Sequence, residues 1–271
     1  MFLWSIINME KERITIIMSK STLDRIDSMI DGSSLRNRSH VIEHLLLKGM
    51  GEKSLESCVI LAGGKDTSKA LMTIKGFPVI YHQLKMLENQ GIKKVFLCIN
   101  SNDTAIRDSV NNIKTSMNVV FSEDDKMMGT AGSVYKLRNS LNENFIVINV
   151  DTLSNFDIKG IHRFHMDHDA IITMLLKPEA DLSKSGSVSI QGSRIISFTE
   201  KLKKPDASLA NAGVYIMSPK VFDYMRKGFM MLETDVFPKI AESGNMYGYT
   251  TNEKFFDIGT DQGRRMAEIE W

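Results

Sequence analysis

The sequence predicts an α/β domain preceded by a small unit of one strand and two helices. After residue 57, apolar strand-like runs alternate with amphipathic helical stretches, as in CVILAGG followed by PVIYHQLKMLENQG. This alternation is typical of a mostly parallel sheet with helices on both faces, and closely spaced strands later in the chain indicate a mixed second half. The Gly- and Ser-containing stretch GMGEKSLES separates the two parts. We therefore expect domains over residues 10–49 and 57–271.

The composition is that of a globular protein. Of 271 residues, 42% are hydrophobic and 25% are charged, with a net charge of +1. This balance excludes a globally basic nucleic-acid-binding protein, although a local basic patch stays open. Cys58 and Cys98 each lie in an apolar run, which favours core packing in a reducing compartment. The apolar first eight residues are too short to span a bilayer, so we expect a cytoplasmic protein without membrane segments.

The N-terminal unit is predicted from three local patterns. Apolar and polar side chains alternate along ERITIIMS, residues 12–19, as in a β-strand. Two helical stripes follow over residues 23–30 and 41–46, and Asn37 can cap the second helix. About 40 residues of this kind bury too little surface to fold alone, and the strand has no partner. Pairing with the same strand of a second chain meets both needs, so we expect a homodimer, with higher assembly left open.

The same stretch resembles the ribbon-helix-helix family of DNA-binding dimers. The resemblance rests on the alternating strand, the capped helix and NRSHVIEHLLLKG, where the family has the turn that opens its second helix. It implies that outward strand residues enter the major groove and that the start of the second helix holds phosphate. The implied DNA contacts are Arg13, Thr15, Asn37, Arg38 and Ser39. The alternative is that the unit only dimerises the protein.

A glycine-rich loop follows the first strand of the α/β domain. Ligands of open α/β sheets bind at the carboxyl ends of strands, and LAGGKDTSK lies at such an end. Gly63 and Gly64 allow the backbone to approach an anion closely. Lys65 and Lys69 bring positive charge to the same loop. Alone, a Gly-Gly turn is weak support for a phosphate site, because many sheets turn on glycines.

Two aspartates stand at similar places much later in the chain. Asp151 ends the apolar run FIVINV, and Asp257 lies between two apolar residues in FFDIGT. A carboxylate at a strand end is either solvated or a metal ligand. Two of them, brought to one edge of the sheet, are what Mg²⁺ between phosphates requires.

Several motifs occur together in a fixed order. They are LAGG, KALMTIKGFPVI, GTAGS, NVDTL, FTEKL, LANAGVYIMSPKVFDYM, and DVFPKIAESGNMYGY with FFDIGT. Over residues 58–271 the chain thereby resembles the nucleoside-diphosphate-sugar pyrophosphorylases, that is, the sugar-1-phosphate nucleotidyltransferases, whose fold is a Rossmann-like mixed sheet. The last segments are most similar to short members without a C-terminal β-helix, such as the mannose- and heptose-1-phosphate guanylyltransferases.

The resemblance implies a role for each matching residue. Catalysis would depend on Lys69, Asp151 and Asp257, and the two aspartates would hold Mg²⁺. The nucleotide would contact Leu61, Ala62, Gly63, Gly64, Lys65, Glu123, Gly129, Thr130 and Ala131. The sugar phosphate would contact Gly186, Glu200, Lys201 and Asn211. The implied partners are a nucleoside triphosphate and a sugar-1-phosphate.

The glycine-rich loop departs from the family pattern. The family reads GGxGTRL, whereas GGKDTSKAL is shorter, lacks the arginine and has Asp66 at a glycine position. A carboxylate repels a triphosphate, and Lys65 cannot reproduce a guanidinium fork. Three hypotheses stay open: an active transferase, a degenerate domain that senses a nucleotide or nucleotide sugar and regulates transcription, and an interaction protein with vestigial sites. The presence of Lys69 and both aspartates favours activity.

Overall fold

The computed structural model describes the chain in two units. The units are Met1–Ser54 and Leu55–Trp271. The described residues are 14–30, 35–49, 55–179, 186–200, 209–251 and 253–271.

The first unit contains two helices, α1 (Lys20–Ser28) and α2 (Arg38–Gly49). The Ser19 hydroxyl caps α1 by accepting from Thr22 N–H at 3.2 Å. The predicted cap of the second helix is confirmed, because Asn37 Oδ1 accepts from His40 N–H at 3.0 Å.

The predicted strand of this unit is not formed by the described residues of the single chain. Residues 14–19 belong to neither a helix nor a strand, and Ile14 and Ile16 are exposed. An isolated strand leaves its backbone groups without partners, so a lone chain gains nothing by forming one. Arg13 lies outside the described residues.

The second unit alternates strands and helices over most of its length. In chain order its elements are β1 (Ser57–Leu61), β2 (Thr73–Ile74), β3 (Phe77–Pro78), α3 (Val79–Asn89), β4 (Lys94–Asn100), α4 (Thr104–Asn111), β5 (Asn118–Asp124), α5 (Gly129–Lys136), β6 (Phe145–Asn149), β7 (Thr152–Leu153), α6 (Ile158–Asp167), β8 (Ile172–Pro178), β9 (Gly186–Gln191), β10 (Arg194–Glu200), β11 (Leu209–Met217), α7 (Phe237–Glu242), β12 (Met246–Thr250), β13 (Phe256–Asp257) and α8 (Asp261–Glu270).

The main sheet confirms the prediction of a parallel first half and a mixed second half. Its strand order in the described part of the chain is β5-β4-β1-β6-β11-β8-β12-β10-β9. Strands β5, β4, β1 and β6 run parallel. Strand β11 is antiparallel to β6 and β8, β8 is parallel to β12, and β10 is antiparallel to β12 and β9. The carboxyl ends of the four parallel strands therefore share one edge.

Buried apolar side chains cover both faces of the sheet. Cys58 and Ile60 pack into one cluster and Val59 into the other, because successive strand residues point to opposite faces. Helices α3, α4 and α6 contribute to the first cluster, and α5 and α7 contribute to the second. Cys58 and Cys98 are buried free thiols, as predicted, and burial raises the pKa of Cys98 to about 12.

A smaller third cluster supports the edge of the sheet where polar residues gather. It joins residues of β2, β7, β13 and α8, among them Leu153 and Phe256. Trp271 packs against it, and its indole N–H donates to His82 Nδ1 at 2.9 Å. The last helix is thus tied to α3. Along the parts of the chain that the structure describes, no helix has the length and apolar character needed to cross a bilayer.

Candidate active site

Asp151 and Asp257 meet at a short strand pair outside the main sheet. Strand β13 runs antiparallel to β7, with Asp257 opposite Thr152. The Ile258 N–H donates to the Asp151 carbonyl oxygen at 2.8 Å. Both aspartates line a cavity of about 350 Å³, called here the main cavity. Backbone pairing therefore brings together two carboxylates that are remote in the sequence.

Lys69 reaches the same point from the glycine-rich loop. It lies on the 3₁₀ turn Ser68–Leu71, and its Nζ donates to Asp151 Oδ2 at 2.8 Å. Burial alone would lower the pKa of Lys69, but the Asp151 hydrogen bond and the charges of Asp151, Asp257 and Asp66 outweigh it and raise the pKa. The side chain is therefore a protonated ammonium near neutral pH.

Gly259 leaves room for this ammonium beside Asp257. A Cβ atom on Gly259 would lie 2.9 Å from Lys69 Nζ and 3.0 Å from Asp257 Oδ1. The first contact is shorter than real Cβ atoms show and the second is tighter than most of them, so a larger residue would require the Lys69 ammonium to move. The FFDIGT motif thus supplies both a carboxylate and the space around it.

The electrostatics of Asp257 indicate a site for a cation. Burial raises the pKa of Asp257, the Asp151 charge raises it further, and the Gly259 amide, Lys177 and Lys69 only partly oppose these effects. Negative charge is therefore incompletely balanced at this point. No group of three or more His, Cys, Asp or Glu side chains that could hold a metal occurs among the described residues. Two carboxylates fit Mg²⁺, which keeps other positions for water and phosphate oxygens.

Three of the residues assigned to the sugar also line the main cavity. Gly186 lies opposite Glu200 across β9 and β10, and both face the cavity together with Asn211. A Cβ on Gly186 would lie 2.5 Å from Phe198 Cζ and 2.9 Å from Glu200 Oε2, so a larger residue would displace these two side chains. Lys201, the predicted sugar-phosphate contact, lies outside the described residues.

An irregular turn of β11 aims Asn211 into the cavity. The pairing of β11 with β8 shifts register between Asn211 and Tyr215, and Gly213 there has φ +73°. Asn211 donates through Nδ2 to Tyr215 Oη at 2.7 Å and accepts at Oδ1 from Gly213 N–H at 2.9 Å. Burial, followed by the charge of Glu233, raises the pKa of Tyr215 well above its ordinary value. Tyr215 is therefore neutral near pH 7, and its hydroxyl holds the Asn211 side-chain amide in one orientation.

The backbone of the glycine-rich loop is tied to its neighbours. Ala62 N–H donates to Cys98 O at 2.9 Å, and Leu61 O accepts from Val150 N–H at 3.1 Å. Gly64, with φ +108°, exchanges two hydrogen bonds with the Asn100 side chain, at 3.2 and 3.0 Å. Gly63 and Lys65 are exposed beside them.

Asp66 has a local partner in the shortened loop. Its Oδ1 accepts from Ser68 Oγ at 2.5 Å and from Ser68 N–H at 3.3 Å. The Ser68 hydroxyl bond is the main reason that the pKa of Asp66 is lowered. Thr67 donates to Asp103 Oδ1 at 3.0 Å, which ties the loop to the start of α4. Asp66 therefore supports the turn that presents Lys69, a role that the sequence comparison did not reveal.

A second cavity of about 210 Å³ opens beyond Gly64. Glu123 does not line this cavity, although the next residue of β5, Asp124, does. Successive residues of a strand point to opposite faces, and Glu123 Oε1 accepts from Arg107 Nη2 at 2.5 Å. Glu123, the predicted base contact, lines neither cavity. The residues that line the second cavity are Gly64, Asn100, Asn102, Asp124, Asp125, Lys126 and Met127.

The GTAGS segment packs against a distant part of the chain. A Cβ on Gly129, which has φ +71°, would lie 2.3 Å from the Met230 carbonyl oxygen. That oxygen accepts from Ala131 N–H at 3.0 Å and from Gly132 N–H at 3.2 Å. Two backbone N–H groups of the first turn of α5 are therefore already hydrogen-bonded within the protein. Gly129 and Ala131 do not line either cavity.

Thr130 links this segment to the main cavity. Its hydroxyl accepts from Leu232 N–H at 2.8 Å, so its proton goes to Glu233 Oε2, also at 2.8 Å. Glu233 lines the main cavity, whereas Thr130 does not. In the structure, Thr130, a predicted nucleotide contact, holds the carboxylate of Glu233 by a hydrogen bond.

Sequence reasoning missed several residues of the main cavity. Glu233 carries no local signal, because it faces the cavity only through the packing of its segment against Thr130. Lys177 has a signal, since it ends the apolar run AIITMLL at the carboxyl end of a strand. The missed polar residues are Asn149, Thr152, Lys177, Glu233 and Thr260.

Comparisons with known proteins agree on one family. The family described as nucleotidyl transferase matches residues 58–264. The chain is 28% identical to D-glycero-alpha-D-manno-heptose 1-phosphate guanylyltransferase of Aneurinibacillus thermoaerophilus, over 83% of this chain and 96% of that protein. It is also 28% identical to mannose-1-phosphate guanylyltransferase 1 of Arabidopsis thaliana, over 74% of this chain but only 60% of that protein.

Solved structures show the same relationship. HddC from Yersinia pseudotuberculosis, complexed with GMP-PN, superimposes with a TM-score of 0.70 at 26% identity. The match covers 80% of this chain and 99% of HddC. The likeness extends over nearly the whole of that chain.

Proposed function

Because the chain belongs to the nucleotidyl transferase family through residues 58–264, we propose that it transfers a nucleotidyl group from a nucleoside triphosphate to a sugar-1-phosphate. The products are a nucleotide sugar and pyrophosphate. One observation carries the proposal: Lys69, Asp151 and Asp257 converge on a cavity that Glu200 and Asn211 also line. Charge-handling groups and hydroxyl-binding groups thus face one space.

The reaction requires positioning and charge stabilisation more than proton transfer. A phosphate oxygen of the sugar-1-phosphate, ionised at neutral pH, forms a bond to the α-phosphorus. The bond from that phosphorus to the bridging oxygen breaks, and its electron pair leaves with pyrophosphate. Lys69 is held by Asp151 and supplies positive charge beside the reacting phosphates. Glu200 and the Asn211 amide would orient the sugar through its hydroxyls.

Asp151 and Asp257 would hold Mg²⁺. Their shared cavity and the raised pKa of Asp257, caused by burial and by the Asp151 charge, support this assignment. When bound, the ion would neutralise phosphate oxygens and orient them for in-line displacement.

The substrates that we propose are guanosine triphosphate and a mannose- or heptose-1-phosphate. The names of the two curated relatives support both, and HddC was solved in complex with GMP-PN. The second cavity lies next to Gly64, and its lining includes Asn102 and Asp125. Guanine presents N–H donors on its pairing edge, which carboxylate and amide oxygens accept.

The N-terminal unit suits dimerisation, which we propose as its function. Ile14, Ile16 and Ile17 are exposed in a single chain, at 67%, 49% and 98%. Arg38, an implied phosphate contact, donates from Nε and Nη2 to the two oxygens of Asp27, both at 2.7 Å. This bidentate pair occupies the guanidinium fork, which favours dimerisation over DNA binding. Thr15, Asn37 and Ser39 stay candidate DNA contacts only in the alternative regulator.

A coupled assay of pyrophosphate release tests the transferase directly. Purified protein and Mg²⁺ are mixed with each nucleoside triphosphate and a panel of sugar-1-phosphates. We expect turnover with guanosine triphosphate and a hexose- or heptose-1-phosphate whose sugar carries no charged group besides the phosphate. Tight binding of a nucleotide sugar without turnover for any pair would instead support the sensor, whose premise is the loop without arginine.

A further inference from the structure

Lys177 is a largely buried cation that lines the main cavity. It follows five buried residues, Ile172–Leu176, at the carboxyl end of β8, and its side chain is only 18% exposed. Its strand partner is Ala210, next to Asn211 on β11. Lys177 and Asn211, whose amide we assign to the sugar, both line the main cavity.

The charges of the main cavity make Lys177 significant. Its described lining contains four carboxylates, Asp151, Glu200, Glu233 and Asp257, against two ammonium groups, Lys69 and Lys177. Lys69 is committed to Asp151 at 2.8 Å, whereas Lys177 lies 3.3 Å from Glu179 in a looser pair. The positive charge of Lys177 also contributes to lowering the pKa of Asp257, so its field reaches the proposed reaction centre.

The strand order assigns Lys177 to one half of the site. The glycine-rich loop and the second cavity lie at β1, β4 and β5, on one side of β6. Gly186, Glu200 and Asn211 belong to β9, β10 and β11, on the other side, where β8 also lies. Lys177 therefore stands with the sugar-binding residues.

We propose that Lys177 binds the phosphoryl group of the sugar-1-phosphate before that group attacks the nucleotide. A phosphate monoester carries close to two negative charges at neutral pH, which the carboxylates of the cavity would otherwise repel. An ammonium at this place offsets that repulsion and orients the attacking oxygen. The proposal rests on the transferase function and adds a binding residue to it.

The test compares Lys177→Met with Lys177→Arg and with Glu179→Gln as the matched control. Lys177→Met removes the charge and keeps the length, so the KM for the sugar-1-phosphate should rise about tenfold or more. The KM for the nucleoside triphosphate should change less than about twofold. Lys177→Arg should recover part of the affinity, because it restores the charge. Glu179→Gln releases the lysine and should leave the sugar-1-phosphate KM unchanged or lower it.

Calorimetric titration of the sugar-1-phosphate without nucleotide separates this proposal from the transferase itself. If no substrate pair turns over, the transferase fails, yet binding that is lost in Lys177→Met and kept in Glu179→Gln would still support the role of Lys177. Unchanged sugar-1-phosphate affinity in Lys177→Met, or an equal loss for both substrates, would overturn it. If Lys177→Met does not fold, the same titrations are made with Lys177→Gln.

Discussion

The carboxylates of Asp151 and Asp257 line one cavity because the Ile258 N–H donates a hydrogen bond to the Asp151 carbonyl oxygen. Residue 257 is thereby placed opposite residue 152 in the β7–β13 pair. Two side chains joined through backbone pairing keep their spacing more firmly than side chains on separate loops. This relationship is the structural basis of the proposed metal site.

Asp257→Asn should strongly reduce turnover without unfolding the protein. The substitution keeps the size of the side chain but removes a charge needed beside the phosphates, so kcat should fall about 10²–10³-fold. Initial rates at several Mg²⁺ concentrations measure the effect. Asp261→Asn is the control, because Asp261 lies in the first turn of α8 and does not line the cavity. Equal rates in the wild-type protein and Asp257→Asn would refute the metal assignment.

The same substitution should stabilise the metal-free protein at neutral pH. Burial and the Asp151 charge raise the folded-state pKa of Asp257 above its ordinary value of 3.8. A raised carboxyl pKa contributes stability below the unfolded-state pKa, and that contribution is lost as the pH rises through the folded-state pKa. In EDTA at pH 7, Asp257→Asn should therefore have a slightly higher Tm. The difference should shrink as the pH approaches 4, and a lower Tm at pH 7 would contradict the repulsion.

Gly129→Ala should cost more stability than Gly91→Ala. Both glycines have positive φ, so alanine costs about 1–2 kcal/mol at either position. Only at Gly129 would the new Cβ strike a backbone atom, 2.3 Å from Met230 O, whereas Gly91 has open space. The clash should add about 1–3 kcal/mol. Urea unfolding measures both variants, and equal losses would show that the Met230 contact is unimportant.

Ile16→Ser should dissociate the dimer, whereas Ile17→Ser should leave it intact. In a paired strand, Ile14, Ile16 and Met18 share one face and Ile17 lies on the other. The first face is the one expected to pack between two chains. Sedimentation velocity of the full chain measures the change. Loss of the dimer in both variants, or in neither, would argue against strand pairing of this kind.

Much of the fold could be predicted because local pattern decides it. Buried apolar runs such as that of β1 read directly as strands, and Asp151 and Asp257 stand at strand ends, where sheet geometry places ligands. The strand predicted over residues 12–19 is not formed by the described residues 14–19 of a single chain, and its pairing with a second chain stays a prediction. Pattern in one sequence does not report which surface a second copy covers.

Side-chain direction and distant packing were beyond the sequence. Glu123 turns toward Arg107, and this depends on where α4 lies against β5. Thr130 serves Glu233 because residues 228–232 pack on the GTAGS segment from far along the chain. Asp66, which from the sequence alone is expected to repel a triphosphate, accepts a hydrogen bond from the Ser68 hydroxyl and so has a local structural role. Each of these features arises from tertiary contacts, which composition and spacing do not specify.

Mass spectrometry of the product tests the central claim most directly. The protein is incubated with Mg²⁺, guanosine triphosphate and mannose- or heptose-1-phosphate, in parallel with the doubly substituted Asp151→Asn, Asp257→Asn protein. We predict that the wild-type protein forms the guanosine diphosphate sugar and that the double variant forms none above background. Equal product in both reactions, or no nucleotide sugar from the wild-type protein with any substrate pair, would contradict the account.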